Sequence, residues 1–196
     1  MSATPEQRVP ELPPYSLDVQ AMDLGSETKA AGLELIETES REPLRGEKAA
    51  EIWAAAIPAL AGEDFWALDF FSHLERVREF CKTKEIVFHE HASRCLVVPQ
   101  PSAKALWGLL ERFAAETFGM RAGDAAREPD VALEEELSHR GLDAYQGAYT
   151  RYSFCAICEP DDGWVTVLSE KLWASEIIRR VRPALQAFDV YIARPQ

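Results

Sequence analysis

Alternating apolar and polar positions open the chain, and positions at helical spacing follow them. The alternation over residues 16–24, and more weakly over 32–38, predicts two strands joined by a loop. From residue 47 onward apolar residues recur at helical spacing, which predicts a helix. Pro58 is expected to end or kink this helix. A second helix is predicted over 64–81, because its apolar stripe has the same spacing: Ala67, Phe70, Phe71, Leu74, Val77 and Cys81.

The middle of the chain combines short apolar runs with one further helix and a charged segment. Residues 85–91 and 94–98 are typical of two strands joined by a short turn. Ser102 is a good N-cap for a helix that Gly119 closes. Residues 120–147 have no regular pattern, which predicts a long acidic loop, and loops of this length in compact domains are usually functional or disordered.

The last fifty residues have the clearest order. Residues 150–158 and 164–168 predict the two strands of a hairpin, since the intervening 159–163 contains both proline and glycine. Ser169 begins a predicted helix, and 188–193 predicts a final strand. The inner face of that helix is apolar at Ala174, Ile177, Ile178, Val181 and Leu185. The C-terminal part is therefore expected to be a β-hairpin–helix–strand unit.

These elements together predict an α+β fold with a mainly antiparallel sheet and about four helices packed on one face. The chain has 196 residues, which fits a single domain over 16–196 preceded by a flexible, proline-rich arm over 1–15. No apolar run approaches the roughly 18 to 20 residues that span a membrane, and the first residues lack the order of a signal peptide. A cytoplasmic protein that does not bind membranes is expected.

The net charge of −12 changes the expected class of partner. It disfavours non-specific binding to nucleic acid, because phosphate contacts need a basic surface. From Arg151 onward six basic and six acidic side chains cancel, so the excess lies in residues 1–150. The segment 124–143 alone carries seven acids and two arginines. Glu134, Glu135 and Glu136 are therefore candidate contacts for a protein partner with a basic surface.

Aromatic residues add a second candidate surface. Trp66, Trp107 and Trp173 fall beside the main apolar stripes rather than within them, and exposed aromatic residues are enriched at binding hot spots. No complete catalytic motif accompanies them. The pattern favours a non-enzymatic protein-binding module, of adaptor, inhibitor or immunity type, with an acidic and aromatic surface.

His89 and His91 support an alternative function. On a strand, residues i and i+2 point to the same face, so two imidazoles could bind a zinc ion together. A catalytic zinc site needs a third protein ligand, and Cys95, His73, His139 or an acid of 124–143 could supply it. The alternative is therefore a zinc-dependent enzyme, or a protein stabilised by zinc, centred on this pair.

Cys155 and Cys158 form a CxxC pair, but within an apolar strand rather than at a helix N-terminus. Residues i and i+3 of a strand point to opposite faces. The two thiols are expected to diverge and to be structural rather than redox-active.

Overall fold

A computed structural model describes residues 12–23, 29–91, 95–113, 116–123, 152–169 and 174–193. These residues form nine strands, four α-helices and one short 3-10 helix. In chain order they are β1 (Tyr15–Asp23), β2 (Lys29–Glu37), α1 (Gly46–Ala61), β3 (Trp66–Phe70), α2 (Leu74–Thr83), β4 (His89–His91), β5 (Cys95–Pro99), α3 (Ala103–Arg112), β6 (Phe118–Ala122), β7 (Phe154–Glu159), the 3-10 helix Pro160–Asp162, β8 (Trp164–Ser169), α4 (Ala174–Gln186) and β9 (Val190–Ile192).

The strands form one nine-stranded sheet in the order β4-β5-β3-β6-β7-β8-β2-β1-β9. Every neighbouring pair is antiparallel except β1 and β9, which are parallel. The predicted α+β class with a mainly antiparallel sheet is confirmed. The C-terminal hairpin, helix and strand are also present, as β7, β8, α4 and β9. Ser169 does not begin the helix as predicted, because it is the last residue of β8 and α4 begins at Ala174.

One apolar core joins the helices to one face of the sheet. Leu17, Leu33 and Val165 represent the strand positions that alternate into this core, and Trp53 and Ile177 represent the helices. All four helices contribute residues to it, and all five of these side chains are at most 1% exposed. The intervening strand residues lie on the opposite face of the sheet, which we call the second face.

Helix boundaries follow from local chemistry. The Ser102 hydroxyl accepts a hydrogen bond of 3.3 Å from the backbone N–H of Ala105, as the predicted N-cap should. Helix α1 does not end at Pro58 but continues to Ala61, and Gly62 follows it with a φ of 64°. That φ favours glycine, which explains why the helix stops there.

Two central strands contradict the predicted elements. Residues 66–70 form β3 rather than the first turns of a helix, and α2 begins only at Leu74. Residues 118–122 form β6, so the prediction that Gly119 closes the third helix and that 120–122 begin the acidic loop is wrong; that helix, α3, ends at Arg112. Strand β3 is buried at all five positions, and a short continuous apolar run does not distinguish a buried strand from a helix.

Other predicted segments differ less or lie outside the described residues. Strand β1 begins at Tyr15, one residue inside the predicted arm, and β4 occupies only the last three residues of the predicted 85–91 strand. Residues 1–11 of the arm and 124–151 of the acidic region and its flank lie outside the description. No described helix is long and apolar enough to cross a membrane.

Candidate functional site

A row of polar and aromatic side chains crosses four strands on the second face. Asp18 of β1 pairs with Glu34 of β2, Glu34 pairs with Trp164 of β8, and Trp164 pairs with Glu159 of β7. Each of the four residues has at least one sequence neighbour in the core, so alternation places the four on the second face. Each is half-buried. We call Asp18, Glu34, Trp164 and Glu159 the carboxylate row.

Two carboxylates of this row face each other directly. Asp18 and Glu34 are register partners, and like charges directly opposite on neighbouring strands repel. Burial raises the pKa of Glu34, and repulsion from Asp18 raises it further. Among the described lysines and arginines, none forms an ion pair with a carboxylate of the row. A cation bound here would relieve the repulsion.

The indole of Trp164 is held in a fixed position within the row. Its Nε1 donates a hydrogen bond of 2.7 Å to the hydroxyl of Thr166. Its ring lies against the backbone of Gly32, because a Cβ at residue 32 would be 2.3 Å from the ring atom Cζ2. Gly32 is therefore required by the space that the indole occupies. A fixed, half-buried indole beside carboxylates can bind a cation through its ring face.

The same face is buried where β6 and β3 continue the sheet beyond β7. Asp69 of β3 and Arg121 of β6 are 1% and 2% exposed, and their Oδ1 and Nη2 atoms are 3.3 Å apart. Arg121 also donates a hydrogen bond of 3.1 Å from Nη1 to the hydroxyl of Tyr152. Burial raises the pKa of Tyr152 above its usual value, although Arg121 opposes this effect. The thiol of Cys95 lies 4.0 Å from Asp69 Oδ1. We assign this buried cluster a structural role, in contrast to the half-buried carboxylate row.

All four cysteines are buried, and none forms a disulfide. Burial raises the pKa of Cys81 to about 11 and that of Cys158 still further. Thiols with raised pKa values are poor nucleophiles, since the thiolate is the reactive form. Cys158 lies in the core, whereas Cys155 pairs with Arg121 and Leu168 on the second face. The expected divergence of the CxxC pair is confirmed.

The partner-binding candidates named from the sequence are not brought together by the described residues. Trp66 is 6% exposed and belongs to the core, so the expectation that it offers binding surface is wrong. Trp66 lies in β3, which is buried on both faces, whereas the sequence pattern predicted a helix with one exposed face at this position. Trp107 is half-buried and lines a cavity between α2 and α3. Trp173 and Glu134, Glu135 and Glu136 lie outside the described residues.

The proposed zinc pair lies at one edge of the sheet. His89 is exposed and pairs with Val97, and His91 pairs in register with Cys95. His73, another suggested ligand, has its Nε2 3.3 Å from Glu116 Oε1. No group of three potential metal ligands occurs within the described part of the chain, which does not include His139. Metal binding by the pair stays a prediction.

The carboxylate row was missed in the sequence because its members come from four separate strands. Each residue alone is an ordinary polar or aromatic position of an alternating pattern, and only the order β7-β8-β2-β1 makes them neighbours. Comparisons of the chain with protein-family models, with curated proteins and with solved structures find no match, so the geometry of the site carries the functional argument.

Proposed function

We propose that this protein is a non-enzymatic binding module that recognises a basic segment of a partner protein through the carboxylate row. The single observation behind the proposal is the alignment of three carboxylates and one indole across four adjacent strands. The row offers negative charge with no described cationic partner, and one of its carboxyls, Glu34, has a pKa raised by burial and by Asp18. A bound cation would stabilise these carboxylates by reducing the repulsion between them.

The spacing of the row suits a basic helix. Neighbouring strands lie about 4.8 Å apart, so the row extends about 14 Å from β1 to β7. An α-helix laid across the strands rises about 5.4 Å per turn, close to this strand spacing. Lysine or arginine side chains on successive turns would then meet Asp18, Glu34 and Glu159, with one cation placed over the ring of Trp164.

Two further expectations accompany this proposal. Glu134, Glu135 and Glu136 would add to the attraction of a basic partner at long range, because charges on one side of an interface raise the association rate. The proposal also places the protein in the cytoplasm, and its support is that none of the four cysteines forms a disulfide.

A peptide titration tests the proposal. The probe is a 20-residue alanine-based helical peptide with lysine at every fourth position, and the reference is the same peptide with glutamine in place of lysine. The lysine peptide should bind the wild-type protein in a saturable manner at low ionic strength. The double variant Asp18→Lys/Glu34→Lys should bind it about tenfold more weakly or worse, as expected for losing two close charge contacts.

The matched control separates the row from the overall charge. Glu47 and Glu63 are exposed and lie outside the row, so Glu47→Lys/Glu63→Lys changes the net charge equally. This control should weaken binding about twofold or less, because exposed distant charges are screened. Equal losses in the two double variants would show that the peptide senses only net charge, and the row would not be the binding surface.

A further inference from the structure

A cavity of about 580 Å³ lies between α2 and α3, on the helix side of the sheet and away from the carboxylate row. Its apolar wall includes Phe80, Ile86 and Trp107, each half-buried and packed against the core. Binding sites for small molecules typically measure about 300 to 1,000 Å³ and combine apolar walls with a few polar groups. The size and lining of this cavity fit that class of site.

Cationic side chains surround this apolar wall. Lys84, Lys104 and Arg112 line the cavity, against the single carboxylate of Glu111 in the same lining. None of the three cations forms an ion pair within the described part of the chain. This local excess of positive charge occurs in a protein with a net charge of −12.

Other cations of the same region are paired. Arg78 of α2 contacts Glu90 at 2.6 Å, and Lys82 lies 3.7 Å from Glu79. The cavity therefore differs from the rest of α2, where acids neutralise the bases. The N-terminus of α3 adds a favourable dipole for an anion, because Ser102 and Lys104 at that end also line the cavity.

We propose that this cavity binds a small amphipathic organic anion. Its aromatic or branched aliphatic body would pack on Phe80, Ile86 and Trp107, and its anionic head group would face Lys84, Lys104 and Arg112. The proposal concerns a second site, independent of the carboxylate row, and a small molecule rather than a protein. A negative result at one of the two sites therefore leaves the proposal for the other site unaffected.

Isothermal titration calorimetry with 8-anilinonaphthalene-1-sulfonate tests the site. The neutral comparison ligand is N-phenyl-1-naphthylamine, which has the same aromatic body without the sulfonate. We expect saturable binding of one sulfonate ligand per folded chain, with the neutral ligand about tenfold weaker or worse. Lys104→Glu/Arg112→Glu should weaken the sulfonate ligand about tenfold or more, since two close favourable charges become unfavourable.

Arg45 and Arg182 supply the matched control. Both are exposed and outside the cavity lining, so Arg45→Glu/Arg182→Glu changes the net charge by the same amount. That control should change the dissociation constant about twofold or less. The near-ultraviolet circular dichroism spectrum of each variant reports whether the native packing is kept, and the milder pair Lys104→Gln/Arg112→Gln replaces the reversal if it is not. Absence of saturable binding to the folded wild type, equal affinity for the two ligands, or equal losses in both double variants would each overturn the proposal.

Discussion

Replacing Arg121 by leucine should destabilise the protein strongly. Arg121 is 2% exposed, and its guanidinium lies 3.3 Å from the carboxylate of Asp69, a residue that is 1% exposed. Removing one partner of a buried ion pair typically costs about 3 to 5 kcal/mol, because the remaining charge loses a close counter-charge. The hydroxyl of Tyr152 also loses a hydrogen bond of 3.1 Å. At about 2 to 4 °C per kcal/mol for a chain of this size, the melting temperature should fall by about 6 to 20 °C.

A double variant gives the sharper test. Asp69→Leu/Arg121→Leu removes both charges, and apolar replacements of a buried pair are often neutral or stabilising. The double variant should therefore be more stable than Arg121→Leu alone, as measured by urea unfolding at neutral pH. Arg182→Leu, an exposed arginine on α4, serves as the control and should change stability by less than about 0.5 kcal/mol. A double variant whose loss equals the sum of the two single losses would refute this account of the pair.

Three further predictions follow from other contacts. Gly32→Ala should displace the indole of Trp164, because a Cβ at residue 32 would be 2.3 Å from it, and the tryptophan fluorescence maximum should shift as a result; an unchanged spectrum would contradict the contact. Ile177→Ala should cost about 2 to 5 kcal/mol in urea unfolding, clearly more than Leu74→Ala, because Ile177 is 1% exposed and Leu74 is only partly buried. Arg179 and Arg180 donate hydrogen bonds to Glu176 on α4, which lower the pKa of Glu176 from its usual 4.5 to about 2. The stability gained from this lowered pKa is complete above pH about 4.5 and is lost as the pH falls toward 2. Glu176→Gln should therefore flatten the pH dependence of the urea midpoint over that interval. An unchanged pH dependence in this variant would contradict the lowered pKa of Glu176.

Local patterns predicted the elements that depend on local chemistry. The Ser102 cap, the turn around 159–163 and the apolar stripe of α4 are each specified by neighbouring residues, and the structure contains all three. The two N-terminal strands were also predicted, because one of their faces is buried and the other is half-exposed, which leaves a visible alternation.

Strands β3 and β6 were missed for a reason that concerns the whole fold. Both are buried at every position, so neither shows the period of two residues that identifies a half-buried strand. Their neighbours in the sheet, β5 and β7, come from distant parts of the chain. The sequence does not predict burial of the charged residues in these strands, Asp69 and Arg121, because only the pairing of the strands brings their side chains to within 3.3 Å of each other.

The sequence by itself therefore determined the α+β class, the antiparallel C-terminal hairpin with its helix, and the opposite directions of Cys155 and Cys158. These properties follow from the periods of strands and helices and from turn chemistry, which act over a few residues. Only the tertiary structure decided that Asp18, Glu34, Trp164 and Glu159 form one row, and that three cations surround one cavity. Both arrangements depend on strand order and helix packing, which are set by the burial of the whole core rather than by any local pattern.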